Sequence, residues 1–318
     1  MIDLRRLAVL RAIAHYGTVT AAAEALHLSP SAASQQVRRL SRDLGLPLLE
    51  PHGRRVRLAP AARVLLRHAD RMEHYWQRAE AGLHATASAA PRGVLRLAGF
   101  PTAVSVLLAP LAARLMGEWP DLTVQVRESE PRDCFDLLFS GDADLAIVEA
   151  TADNPPFGDG RFEQQPLLDD PFDLLTPGGH PLADRTAVTL QDLVHEPWIV
   201  GTPGSSARHV VLAACNSAGF TPDIVHQAIE WTVVAALVAH GLGIALVPHA
   251  AQLPPRLDLV RTPLTGTAQP SRRFLSVIRS GSRHHPAIAA ALARLDTLVA
   301  GQGRPVAGRN PTAPEPLP

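Results

Sequence analysis

Lysine is absent from this 318-residue chain, so all 30 basic residues are arginine, balanced by 30 carboxylates for a net charge of zero. A neutral chain has no whole-surface attraction for nucleic acid or anionic membrane, so any such affinity must come from local placement of charge. The missing lysine and the abundant alanine fit a GC-rich coding bias, which leaves the position of the arginines, not their identity, as the informative quantity. Only two cysteines are present, Cys134 and Cys215. That excludes a disulfide framework or a cysteine-rich zinc site, and both read as reduced, buried thiols in predicted helices rather than a redox pair. No uncharged apolar run reaches about 18 residues, which excludes a membrane-spanning helix. Asp3, Arg5 and Arg6 fall within an amphipathic helix, not a signal-peptide layout. A cytoplasmic location without a membrane partner is therefore expected. The sequence also lacks a Gly-x-Ser-x-Gly elbow, a phosphate-binding loop and a His-Glu-x-x-His pair. Fourteen histidines show no ligand spacing, and His284-His285 reads as a solvated helix start. No catalytic residue, metal or cofactor is expected. A hydrophobic fraction of 46% supports real cores, and the length suggests about two domains.

The most informative stretch runs from Thr20 to Leu40. It reads as two short helices joined by a turn at His27-Leu28-Ser29, with Thr20 as the first N-cap. The second helix opens at Pro30, where a missing N–H costs nothing. Ala33, Val37 and Leu40 share one face. Ser31, Ser34, Gln35 and Arg38 share the other, a row of hydrogen-bonding groups with a cation, suited to base edges and phosphates. An ordinary helical hairpin with a solvated face is the alternative.

The flanking sequence favours the first reading. Leu4, Leu7, Ala8, Leu10, Arg11 and Ala14 give an amphipathic first helix, Gly45 is a helix stop, and His52-Gly-Arg-Arg-Val-Arg-Leu58 reads as a basic hairpin. Residues 1–60 hold nine arginines against four carboxylates, a net +5 that leaves −5 for the rest. A basic end on a neutral chain is a nucleic-acid footprint.

These motifs, in this order, resemble the LysR-type transcriptional regulators. The matching segments are Leu4 to Leu7, Gly17 to Ala22, Ser29 to Gln36, Leu44 to Glu50 and Arg54 to Leu58. The resemblance implies an N-terminal winged helix-turn-helix with a long linker helix, then an α/β effector domain of two Rossmann-like subdomains, like a periplasmic binding protein. It implies sequence-specific, ligand-modulated binding to double-stranded operator DNA by a homodimer or homotetramer, with RNA polymerase a further partner. Operator contacts fall on Thr20, Pro30, Ser31, Ser34, Gln35, Arg38, Arg54, Arg55 and Arg57. Pro30 stands where many relatives have Gln, and Gln35 where many have Arg, which shifts the preferred base from guanine toward adenine. Leu58-Ala59-Pro60-Ala61 departs from the family's usual Leu-Thr-x-Ala-Gly.

From Pro60 a helix is expected in which Leu65, Ala69, Met72, Trp76, Ala79 and Leu83 recur at alternating spacings of four and three, an a/d seam. A seam this narrow points to a two-helix dimer, since a core-packed helix carries a wider stripe. Ala85 to Arg92 reads as the helix end and a hinge. The expected domains are 1–59, 60–91 and 92–300, the last divided into 92–163 plus 267–300 and 164–266, with a disordered tail at 301–318.

Beyond Gly93, short apolar runs alternate with helical patterns, which predicts an α/β sheet with parallel content. Strands are expected at Val94–Leu97, Leu122–Val126, Ala143–Val148, Phe172–Leu175, Trp198–Val200, near Ile224, at Ile244–Val247 and at Phe274–Ile278; helices are expected at Thr102–Met116, Cys134–Ser140, Ser206–Ala218, Thr232–His240 and Ala287–Val299. Gly241-Leu-Gly243 precedes a strand and lacks a third glycine, so it reads as a helix cap, not a dinucleotide site. Open α/β sheets bind ligands beyond the carboxyl ends of their strands. Those positions hold Thr102, Ala103, Ser129, Glu130, Glu149, Thr202, Pro203, Ser205 and Trp231. Gly204-Ser205-Ser206 either presents backbone N–H groups to an anion or merely caps a helix. Glu130 and Glu149 suit an amino group and Arg208 a carboxylate, hence an amino-acid-like effector, unless these are solvated rim charges. A solute-binding protein would need an export signal and no basic N-terminal domain, and an α/β enzyme would need a convergent constellation that the chain does not display.

Overall fold

A computed structural model describes residues 3–52, 55–87, 90–267 and 269–301. Helix α1 (Leu4–Tyr16) starts where the Asp3 carboxylate accepts the Arg5 N–H and stops at Gly17, whose φ of 76° is the left-handed conformation of a glycine cap. Helix α2 (Val19–Ala25) is capped by the Thr18 hydroxyl, which accepts the Ala21 N–H at 3.1 Å. The cap expected at Thr20 is corrected: Thr20 is an exposed residue inside the helix, because Thr18 follows the glycine stop and already has extended backbone. Helix α3 (Pro30–Leu44) has Ser29 as N-cap, Pro30 in the first turn and Gly45 as its left-handed stop. Leu7, Leu10, Ile13, Ala22, Ala33, Val37 and Leu40 close the three-helix core.

Strands β1 (Leu49–His52) and β2 (Arg55–Leu58) form the antiparallel wing, with Leu49 opposite Leu58. Helix α4 (Pro60–Ala87) then runs 28 residues. Leu65 packs on the three-helix core and Ala69 is buried in it, so a third of the expected seam is used within the chain. Met72, Trp76 and Leu83 are 48%, 61% and 66% exposed, and Ala79 is exposed beside them.

The second domain opens with β3 (Gly93–Gly99). Pro101 then starts one continuous helical stretch made of α5 (Pro101–Ala103), a π-helical turn (Val104–Leu108) and α6 (Ala109–Glu118). Pro110 has no N–H to donate, and the Ala109 N–H reaches back five residues to the Val104 carbonyl. Strand β4 (Leu122–Glu128), helix α7 (Pro131–Ser140) and strand β5 (Leu145–Glu149) follow, with β3 parallel to both β4 and β5. Strand β6 (Phe162–Pro177) is 16 residues long, more than the four expected at Phe172–Leu175. Its first half was not anticipated because Glu163, Gln164, Gln165, Asp169 and Asp170 break the apolar pattern.

Beyond β6 lie β7 (Pro197–Val200), α8 (Ser206–Ser217), β8 (Asp223–Gln227), α9 (Trp231–Ala239), β9 (Ala245–Pro248), β10 (Leu259–Pro263), β11 (Ser271–Arg279) and α10 (Pro286–Gly301). The main sheet runs β10-β6-β11-β5-β3-β4, with β9 also on β6. Residues 162–171 of β6 pair with β11, whereas residues 172–177 pair with β9 and β10. One strand thus passes from one half of the domain into the other. Strands β7 and β8 form a separate parallel pair. Residues 302–318, most of the tail expected to be disordered, lie outside the described residues.

His27, in the turn between α2 and α3, has φ 53°, the one non-glycine residue with positive φ among those described. A β-branched side chain pays about 1 kcal/mol or more there, while glycine pays nothing. His27→Val is expected to lower the thermal midpoint of the full chain, and His27→Gly to hold or raise it, by differential scanning calorimetry.

Candidate functional site: a nucleic-acid-reading face and an inter-lobe cleft

Two sites emerge. The first is the outward face of α3. Ser31, Gln35 and Arg38 are exposed and Ser34 half-buried on one side, with Ala33, Val37 and Leu40 buried on the other. The Ser29 hydroxyl accepts the Ala32 N–H and lies 3.0 Å from the Ser31 hydroxyl, which fixes the first turn of the reading helix. Pro30 is exposed beside it and donates nothing. On the wing, Arg57 donates to Glu50 at 2.9 Å across the hairpin. An exposed pair of this kind is worth at most about 1 kcal/mol, so a phosphate can displace it. Arg55 lies on β2. Arg54 lies outside the described residues.

The second site lies where β3, β5 and β7 end. Glu149 closes β5, is 5% exposed, and receives at Oε2 the Ser206 hydroxyl at 3.1 Å. Ser206 opens α8, so this hydrogen bond ties the two halves of the domain together. Arg272 on β11 faces the same Glu149 oxygen at 3.8 Å. Its guanidinium donates from Nε to Asp170 at 2.9 Å and lies over the rings of Phe100 and Phe274. Burial pushes the Glu149 carboxyl up, outweighing Arg272 and the Ser206 hydrogen bond, with Asp170 and Glu130 pushing the same way.

The expected cleft residues divide. Thr102 is buried at the first helical turn after β3. Ala103 is corrected to a core residue: it is fully buried with Leu107, Leu108 and Leu111, because the chain turns inward after Pro101. Ser129 is half-buried and donates to the Glu128 carbonyl, and Glu130 is exposed as the N-cap of α7. The Thr202 carbonyl accepts both the Ser205 N–H and the Ser205 hydroxyl, and Ser205 is the N-cap of α8. Capping is thus the observed role of Ser205. Pro203 is exposed on the same turn. Arg208 donates to the Gly201 carbonyl at 2.9 Å. Trp231 begins α9 and, with Ile199, Val200 and Ala207, lines a cavity of about 10 Å³, no larger than one water.

Asp170 and Arg272 were missed, since a charged residue within a strand gives no sequence signal until its register partner is known; here they are opposite one another on β6 and β11. Both cysteines are free and buried. Burial pushes the Cys134 thiol up to about 12 and the Cys215 thiol up to about 11. Neither is a ready nucleophile.

A capped reading helix with a wing, joined through a long helix to a two-lobed α/β domain, defines a helix-turn-helix regulator. Residues 4–63 match the model for bacterial regulatory helix-turn-helix proteins of the LysR family, and residues 88–300 match that for the LysR substrate binding domain. The chain is 30% identical to the RuBisCO operon transcriptional regulator of Allochromatium vinosum, over 91% of its own length and 94% of the relative's. It is 31% identical to a probable hydrogen peroxide-inducible genes activator of Mycobacterium avium, over 85% and 86%. Among solved structures it resembles a full-length OxyR variant from Pseudomonas aeruginosa with a TM-score of 0.60 and 23% identity, covering 94% and 98%, and CbnR in complex with its target DNA with 0.55 and 22%, covering 93% and 99%. The chain belongs to the LysR family: it is a transcriptional regulator with a helix-turn-helix DNA-binding domain and an effector-binding domain.

A raised Glu149 has a definite sign. Below the ordinary carboxylate value of 4.5 the group is protonated whether folded or unfolded; above it the unfolded chain ionises first, so stability falls as pH rises. Glu149→Gln should remove this loss. The thermal midpoint of wild type relative to Glu149→Gln is expected to drop between pH 4.5 and 7, and a constant difference would assign the buried carboxyl no part in it.

Proposed function

We propose that this chain acts as a homodimer that reads a dyad operator through two copies of α3. The observation that carries this is the exposed row Ser31, Gln35 and Arg38 on a helix whose opposite face is fully buried. One recognition helix reads few base pairs, and a two-fold pair reads two half-sites. Ser31, Ser34 and Gln35 meet base edges; Arg38, Arg54, Arg55 and Arg57 meet phosphates; Thr20 and Pro30 border the contact. The dimer seam is the exposed half of α4, with Met72, Trp76, Ala79 and Leu83 facing a second copy. Leu65 and Ala69 anchor that helix to its own core.

The effector is a small molecule held between lobes approximating 92–163 plus 267–300 and 164–266, against Thr102, Ser129, Glu130, Glu149, Thr202, Pro203, Ser205 and Trp231. Ligand control requires different affinity for two states of this cleft. The Glu149–Ser206 hydrogen bond belongs to one of them. Several relatives are named for induction by hydrogen peroxide. Buried thiols with raised pKa favour a reversibly bound effector over thiol oxidation in this chain. The chain works in the cytoplasm, alongside RNA polymerase, and performs no catalysis of its own. No described helix is long and apolar enough to cross a membrane.

Two experiments test this reading. Arg38→Ala should weaken binding to all DNA sequences and flatten the salt slope by roughly one unit, while Gln35→Ala should relax preference at one base position by about 1–3 kcal/mol. Gel-shift salt titration and selection from randomised sites read these outcomes, and unchanged slope and preference would remove α3 from the interface. Trp76→Asp should shift the chain from dimer to monomer in sedimentation velocity and cut dyad affinity about a hundredfold. Undisturbed dimers would place the seam elsewhere.

A further inference from the structure

The DNA-binding domain is docked on the effector domain of its own chain. His15, in the last turn of α1, stacks on Phe139 of α7 with ring centroids 4.1 Å apart and an interplanar angle of 11°. Its Nε2 lies 2.7 Å from Asp136 of α7. Arg161 Nη1 lies 2.6 Å from Nδ1. A guanidinium only donates, so Nδ1 is the acceptor and Nε2–H donates to Asp136. Arg161 is held in turn by Asp159 through Nε and Nη2. Phe139 packs against the core clusters of both domains. A second contact runs alongside: α4 lies so close to the turn before α10 that a Cβ on Gly281 would collide with the His74 carbonyl, and His74 Nδ1 meets the Ser280 hydroxyl at 2.9 Å.

Helix α7 has two ends with different neighbours. Its N-terminal end continues directly from Ser129 and Glu130, the cleft segment, and the Cys134 thiol donates to the Ser129 carbonyl at 3.6 Å. Its C-terminal half carries Asp136 and Phe139. Between them Cys134, Phe135, Leu137 and Leu138 are buried against Ala146, Val148 and Phe162. A ten-residue helix spans only about 15 Å and, packed this way, shifts as a unit.

We propose that α7 is the mechanical link by which the effector cleft sets the orientation of the DNA-binding domain of the same chain, acting through the clasp of His15, Phe139, Asp136 and Arg161. This rests on the reading of Ser129 and Glu130 as cleft residues. The link bypasses the connection after α4, because it joins the two domains side chain to side chain.

The test is a mutant cycle on the full chain, read by hydrogen–deuterium exchange. Ser129→Trp perturbs the cleft end, and Asp136→Ala cuts the clasp at a partly exposed position that the core does not need. Ser129→Trp alone should change exchange at the α1 amides Leu10–Tyr16 about threefold or more, and in the Asp136→Ala background should leave them unchanged. Equal changes in both backgrounds, or none in the intact chain, overturn the link. His15→Phe keeps the stack without the polar contacts and should give an intermediate response; full transmission through it would assign the coupling to packing alone and overturn the role of Asp136 and Arg161. Failure of the effector reading shows separately, as no protection of residues 128–131 by any member of a metabolite panel, with the cycle unaffected.

Discussion

The buried ion pair between Asp170 and Arg272 is the point on which the effector domain turns. The two residues face each other on β6 and β11, at the place where β6 leaves one half of the domain for the other. Six segments meet there. The Asp170 carboxylate accepts the Ala250 N–H just after β9, Arg272 rests on Phe100 and Phe274, and Glu149 brings in β5 and, through Ser206, the start of α8. Removing one partner of such a pair costs about 3–5 kcal/mol because the other charge stays buried.

That constraint places the chemistry. The strand ends that converge beside the pair are also where an open α/β sheet accepts a ligand. Burial holds Glu149 toward its neutral form against the buried Arg272 guanidinium, and the Asp170 and Glu130 carboxylates push the same way as burial. The Glu149 carboxyl is already engaged across the two halves by the Ser206 hydroxyl. The same lobe carries α7, which reaches from the cleft to α1.

Much of the helical domain was legible in the sequence, because its signals are local: Ser29 and Pro30 start α3, Gly17 and Gly45 stop helices, and Ala33, Val37 and Leu40 mark a face. Thr18 and Thr20 are equally good caps by type, and only the extended backbone of Thr18 separates them. The α/β alternation was legible too, apart from β10 and the first half of β6. There, side chains such as Asp170 are buried by pairing across strands, which no window along the chain displays. His15 and Phe139 were invisible for the same reason: each looks ordinary in its own helix, and they are 124 positions apart in sequence yet stacked in space.

Hydroxyl-radical footprinting of the protein on the DNA upstream of its own coding region tests most directly whether the chain reads DNA as a two-fold pair. The predicted result is two protected patches about one helical turn, or a whole multiple of it, apart, both lost in Gln35→Ala/Arg38→Ala. A single protected patch, or two that persist in the double variant, would contradict it.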